Sequence, residues 1–283
     1  HHYHFRCKHV VARQVLEEAE KAILIDTDTF FLDSPMKLFE RVQPDTLLCN
    51  AFQIRYADCK ETVLYTALAQ TLAERNLADD QMRLVNSGVI GLTRSNAPIL
   101  DTSIALMDEF FPMTPGAITL EEFCLGVAAY RSLKVDQCAD LIHHYWSRKP
   151  LFRAKVLAWT RKHRHDPLGA KAIHDTAYVS PKLPRPATWQ RLMYKSATLV
   201  VPQPQRQFVR EVLYGCCEHP NEFDRACAPV WWEKAFSNAE HRLKKPIAPE
   251  QLRQWLDHWA VRRLLGRRRT AIYQHLIHMQ TSR

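Results

Sequence analysis

The chain has 283 residues, of which 46% are hydrophobic, and a formal net charge of +9. That length and apolar content suffice for one large domain or a domain with an appendage. No apolar run approaches the roughly 20 residues that a membrane-spanning helix needs. "HHYHFRCKHVVA" at the start lacks the continuous apolar core of a secretory signal.

The eight cysteines, Cys7, Cys49, Cys59, Cys124, Cys138, Cys216, Cys217 and Cys227, form no C-x-x-C pair. Their irregular spacing reads as a reduced, cytoplasmic protein. The basic excess is uneven, concentrated in Arg148–Arg164 and Arg262–Arg269. Such surfaces suit nucleotide phosphates, anionic lipid headgroups or nucleic acid. No recognised nucleic-acid motif is present, which sets the last of these aside.

In chain order, residues 8–20 read as a helix with Val11, Val15 and Ala19 on its apolar face. "ILID" (23–26) and "TLLCNAF" (46–52) read as strands. Leu64, Leu68 and Leu72 mark a helix. "RLVNSGVIGLT" is β-rich and interrupted at Asn86-Ser87-Gly88. A helix carrying Leu100, Ile104, Met107 and Phe111 follows, with Ser95 or Asn96 as its expected cap. "TLEEFCLGVAAYRS" is helical and spells a capping box, Thr119 with Glu122. "SLKVDQ" and "ADLIHHYW" read as short strands. Strands thus alternate with helices to about residue 150, which predicts an α/β architecture around a largely parallel sheet. Residues 151–185, basic and rich in proline, read as an irregular connector, and the remainder to residue 283 as helical. The expected organisation is therefore 1–150 and 151–283.

The informative stretch is "ILIDTDTFFLDSP" (23–35). Asp26 and Asp28 follow a buried strand at the sheet edge where open α/β proteins bind ligands. Two residues apart in an extended segment, the two side chains point the same way. Two adjacent carboxylates repel unless a cation lies between them, and hard oxygen donors suit magnesium or manganese. Aspartates that merely cap a turn are the plainer reading of an isolated D-x-D. Gly88 within a strand permits close approach to the backbone. Asn86 offers both a donor and an acceptor.

With these residues in hand, "ILIDTDTFFLDSP" resembles the D-x-D segment of nucleotide-sugar-dependent glycosyltransferases of the GT-A fold, family 8-like. "LVNSGVIGL" is similar to the N-[SA]-G-[VIL] strand of that family. "LIHHYWSRKP" is similar to its His-aromatic segment ending in Lys-Pro. The resemblance covers roughly residues 5–150. It implies a Rossmann-like mixed sheet flanked by helices, with a mostly helical C-terminal region. It also implies that the first nucleotide-binding βαβ unit of the family lies ahead of residue 1.

The implied activity is transfer of a hexose from a nucleotide-diphosphate sugar, a UDP-sugar by preference, to a hydroxyl of a glycan or lipid-linked acceptor, with Mn2+ or Mg2+. By the same resemblance Asp28 binds the metal directly, and Asp26 contacts metal or ribose. The late histidine is a third metal ligand: His144 by the H-Y-x-S-x-K-P alignment, His143 as the alternative. Asn86, Ser87, Gly88, Lys8 and Lys149 would contact the donor, and Glu121 or Glu122 would be the catalytic carboxylate. The resemblance also implies that a basic residue ahead of the D-x-D, among Arg6, Lys8 and Arg13, touches the donor diphosphate. A sugar-phosphate nucleotidyltransferase and an inactive GT-A-like scaffold stand as alternatives. Near the C-terminus, Leu252, Trp255, Leu256 and Trp259 fall on one helical face ahead of Arg262, Arg263, Arg267, Arg268 and Arg269. Trp with Arg suits peripheral contact with an anionic membrane, at its inner face, though an apolar stripe equally suits a core.

Overall fold

The computed structural model describes residues 3–282 and divides them into two compact units, with the break between Trp146 and Ser147. The first unit is α/β. Its elements are α1 (Arg6–Glu18), β1 (Lys21–Ile25), β2 (Thr29–Phe31), α2 (Pro35–Arg41), β3 (Thr46–Cys49), β4 (Phe52–Arg55), α3 (Val63–Glu74), β5 (Arg83–Val85), β6 (Val89–Thr93), α4 (Pro98–Phe110), α5 (Leu120–Ala129), β7 (Lys134–Gln137) and β8 (Ile142–His144).

The central sheet runs β1-β6-β3-β7. It is mixed: β6 is antiparallel to both β1 and β3, and only β3 and β7 are parallel. The largely parallel sheet expected from strand–helix alternation is corrected here, because β6 returns against β1 instead of crossing over. Alternation of side chains gives the sheet two apolar faces. Leu47, Cys49, Ile90 and Leu92 pack with Ala12 and Leu16 of α1, Leu100 of α4 and Leu125 of α5. Leu48 and Val89 pack on the other side with Leu38, Val42, Cys138 and Ile142. Two small ladders, β2 with β8 and β4 with β5, lie outside this sheet.

Three further expectations change. Helix α1 buries His9, Ala12 and Leu16, while Val11 and Val15 are half exposed. The expected stripe runs i, i+4, i+8 and the buried one i, i+3, i+7, and the one ending in Leu16 faces the sheet. Helix α4 starts at Pro98, which supplies no N–H and a preset φ, so neither Ser95 nor Asn96 caps it; both lie in a preceding 3-10 turn. Thr119 is the residue before α5 but makes no side-chain cap.

The second unit is helical: α6 (Lys149–His163), α7 (Ala170–Asp175), α8 (Thr188–Ala197), α9 (Gln203–Gly215), α10 (Glu222–Arg225), α11 (Ala228–Leu243), α12 (Pro249–Asp257), α13 (Trp259–Leu265) and α14 (Arg268–Thr281). The connector expected over 151–185 is largely two helices, α6 and α7. The prolines misled because Pro167 falls between α6 and α7, and Pro181 and Pro184 fall between α7 and α8, so none interrupts a helix. Fully buried Lys155 ties α6 down through Ser180 Oγ at 3.0 Å and Asp224 at 2.9 Å.

The C-terminal stripe also breaks. His258 has extended ψ, so α12 and α13 are separate helices. Leu252, Trp255 and Leu256 join the core with Phe208 and Phe236, whereas Trp259 is 65% exposed. Arg268 donates to the Cys216 carbonyl and Glu218, and Arg269 pairs with Asp257. No helix among the described residues is long and apolar enough to cross a membrane.

Candidate metal centre

The first unit gathers Asp26, Asp28 and His144, with one ligand atom from each lying within 4.8 Å of the others. Asp26 and Asp28 flank a turn, not the extended segment expected from the sequence. Asp26 N–H donates to Gly88 O at 2.9 Å, continuing the β1–β6 ladder by one step. Thr29 Oγ1 then donates back to Asp26 O at 2.7 Å and closes the turn.

The histidine arrives by strand pairing. β2 runs antiparallel to β8 with Thr29 opposite His144 and Phe30 opposite His143. Tyr145 N–H donates to Asp28 O at 2.9 Å, which carries the ladder to the aspartate itself. Alternation then sends the two rings to opposite faces. His144 Nε2 meets Asp28 Oδ1 at 3.2 Å and Asp26 Oδ2 at 3.7 Å, while the His143 ring packs on Phe30 at 5.3 Å. His143, the alternative ligand, is thereby excluded from the cluster.

Asn86 fixes the tautomer of that ring. Its Nδ2 donates to Glu122 Oε1 at 3.1 Å and its Oδ1 accepts from Gly88 N–H at 3.1 Å, so the orientation of the amide follows from its partners. The same Oδ1 is 2.7 Å from His144 Nδ1. An amide oxygen only accepts, so Nδ1 carries a proton, and in the neutral ring the Nε2 lone pair faces the carboxylates. Burial lowers the His144 pKa, against the pull of Asp28 and Asp26, which favours that neutral form. In that form Nε2 and the two carboxylates offer three donor atoms toward one point. The three donors, all nitrogen or oxygen, fit a divalent ion such as manganese or magnesium.

Gly88 makes room for the ring. A Cβ built there would stand 2.1 Å from His144 Nδ1 and 2.6 Å from Cε1. The close approach expected at this glycine is therefore by a protein ring and not by a ligand. The expected donor contacts shift accordingly. Ser87 is fully buried, and its hydroxyl lies 3.2 Å from Glu121 Oε1. Asn86 spends its amide on His144, Gly88 and Glu122. Both are parts of the frame.

The two glutamates are held the opposite way from the capping-box expectation. Glu121 is 4% exposed; Tyr3 donates its hydroxyl to the carboxylate and accepts the Glu121 N–H at 3.0 Å. Burial, and then that bond, raise the Tyr3 pKa, so the phenol stays protonated. Glu122, freed of any capping role, accepts from Asn86, from Ser87 N–H at 3.0 Å and from Gln53 at 3.2 Å. Burial, aided by the neighbouring Glu121, pushes the Glu122 pKa up to about 7 even though the Ser87 N–H opposes it.

Comparison of the chain with family models, with curated proteins and with solved structures finds no match in any of the three.

Lys8 completes the electrostatics. Its ammonium bonds Asp26 at 2.9 Å and lies 3.7 Å from Glu121, bridging the cluster to the buried carboxylates. Arg6 and Arg13, on the same helix, are bound to Asp108 and Asp101 of α4. Lys149 belongs to the second unit, as the first residue of α6. Tyr3 and Gln53, which hold the two glutamates, carried no sequence signal, because each acts across more than 60 residues of chain.

Proposed function

We propose that the first unit is the catalytic part of a metal-dependent glycosyltransferase of GT-A type, using a nucleotide-diphosphate sugar, preferably a UDP-sugar, and a hydroxyl acceptor on a glycan or lipid-linked glycan. The observation that carries the reading is the convergence of Asp26, Asp28 and the Nε2 lone pair of His144, with Gly88 bare beneath the ring. It is supported by the order of motifs that resemble the family and by a mixed sheet whose β1 end holds the cluster.

Asp26, Asp28 and His144 would hold the Mn2+ or Mg2+. Bound there, the ion would supply Lewis-acid stabilisation to the diphosphate leaving group. The chain's own residues set up that chemistry. Asn86 holds the ring proton on Nδ1 and keeps Nε2 available. Glu122 anchors Asn86 and the Ser87 N–H, and Glu121 with Asp26 holds Lys8. The Lys8 charge beside Asp26 suits an anionic donor. Both glutamates are engaged inside the frame, which favours positioning roles for them over direct proton abstraction from the acceptor.

The test is calorimetric titration of the full chain with manganese and UDP, followed by hydrolysis assays over a panel of nucleotide sugars. Asp28→Ala is expected to abolish metal-dependent nucleotide binding. Asp26→Ala should weaken it less, and His144→Ala should cost more than His143→Ala. Normal metal and nucleotide binding by Asp28→Ala would overturn the reading.

A further inference from the structure

We propose that a pocket adjoining this cluster binds an acidic sugar, a glycan residue bearing a phosphate or a carboxylate, as the acceptor. The acceptor role rests on the transferase reading above. The pocket has a volume of about 670 Å3 and is lined in part by Gln53, Arg55, Asp58, Arg83, Asn86 and Trp146, all of the first unit.

The charge arrangement points to an anion. β4 and β5 are antiparallel, and their register, which shifts between Phe52 and Arg55, pairs Arg55 with Arg83. Like charges opposed across a ladder weaken the pairing, so two arginines here are a cost to the ladder alone. Arg55 is partly offset by Asp58 at 3.4 Å. Arg83 rests its guanidinium over the Phe52 ring at 4.9 Å and has no carboxylate within ion-pair distance among the described residues. The lining thus holds two arginines and one carboxylate. A phosphate or carboxylate between the arginines relieves their repulsion and receives their forked donors.

The remaining walls suit a sugar. Trp146 is 60% exposed, and an aromatic face beside polar groups is a platform for the C–H face of a pyranose. Asn86 belongs both to the pocket and to the His144 hydrogen bond, so a ligand held here lies one residue from the candidate metal ligand. Gln53, on the same wall, donates to Glu122.

The experiment is a ligand-observed NMR titration of the full chain with glucose 6-phosphate, glucuronate, glucose and inorganic phosphate. It is repeated for Arg83→Gln and Trp146→Ala, with circular dichroism to verify folding. At least one acidic sugar is expected to bind tenfold or more tightly than glucose. Arg83→Gln should lose that preference, and Trp146→Ala should weaken the sugar phosphate more than inorganic phosphate. Equal binding of charged and neutral sugars, or an unchanged Arg83→Gln, overturns the proposal. So does displacement of the acidic sugar by UDP without manganese together with an equal loss of UDP affinity in Arg83→Gln, since the arginines then serve the donor. If the wild-type chain with manganese binds no nucleotide sugar yet still takes the acidic sugar through Arg83, the transferase reading fails and the acidic-sugar pocket stands.

Discussion

Gly88 and Glu122 show how much of the site rests on single atoms. At Gly88 the missing Cβ leaves the space that the His144 ring occupies, with 2.1 Å the distance a methyl would have to share. Gly88→Ala must therefore push the ring away from Asp28. The expected result is a manganese affinity at least about tenfold weaker with circular dichroism unchanged, as for the loss of a ligand's orienting contact. Glu122 makes a pH prediction. Its folded-state pKa of about 7 lies above the ordinary carboxylate range, so the folded chain holds a proton that the unfolded chain releases. The stabilisation from that proton is complete below the unfolded pKa and is lost as pH rises through about 7. Glu122→Gln, which removes the titration, should flatten the fall in thermal stability between pH 5 and pH 8. Parallel pH profiles for the two proteins would show that Glu122 is not protonated in the fold.

At the scale of elements, α1 carries two candidate stripes, and the choice between them is measurable. Leu16 is 1% exposed against the sheet, whereas Val15 is 46% exposed. Leu16→Ala should cost about 2–5 kcal/mol in denaturant unfolding. Val15→Ala should change stability by no more than about 0.5 kcal/mol. The reverse order would restore the Val11–Val15 face. The β2–β8 ladder is the element that assembles the candidate metal centre. It joins Thr29 to His144 across 115 positions, a pairing that no local pattern reveals. In the helical unit, the break at His258 takes Trp259 out of the stripe that Leu252, Trp255 and Leu256 share, so the core claims most of the face that suggested a membrane surface.

At the scale of the whole chain, the proposed metal site would link ion binding to folding. The three ligands come from the turn after β1 and from β8, so an ion that binds only the assembled site stabilises the fold that assembles it. Manganese at 100 times its dissociation constant should add about 2.7 kcal/mol, read as a rise in the unfolding temperature, and a chelator should reverse it. Slowed hydrogen exchange should concentrate at residues 23–30, 86–90 and 141–145, the segments that meet at the cluster. No shift with manganese, or an equal shift in Asp28→Ala, would count against the site.

The sequence alone determined the chemistry that could be offered: Asp26 and Asp28 after an apolar strand, a histidine pair near residue 144, a glycine between two strand runs. These are local facts, because strand periodicity and residue type are written within a few positions. Tertiary structure decided which groups meet. It chose His144 over His143 through the register with β2, and it turned Gly88 from a ligand approach into room for a ring. It also took Glu121 and Glu122 into the frame through Tyr3, Gln53 and Asn86, and it folded residues 151–185 around Lys155. Each of those outcomes depends on hydrogen bonds and packing between segments far apart in the chain, whose register is fixed only when the buried faces of the whole sheet and its helices are satisfied together.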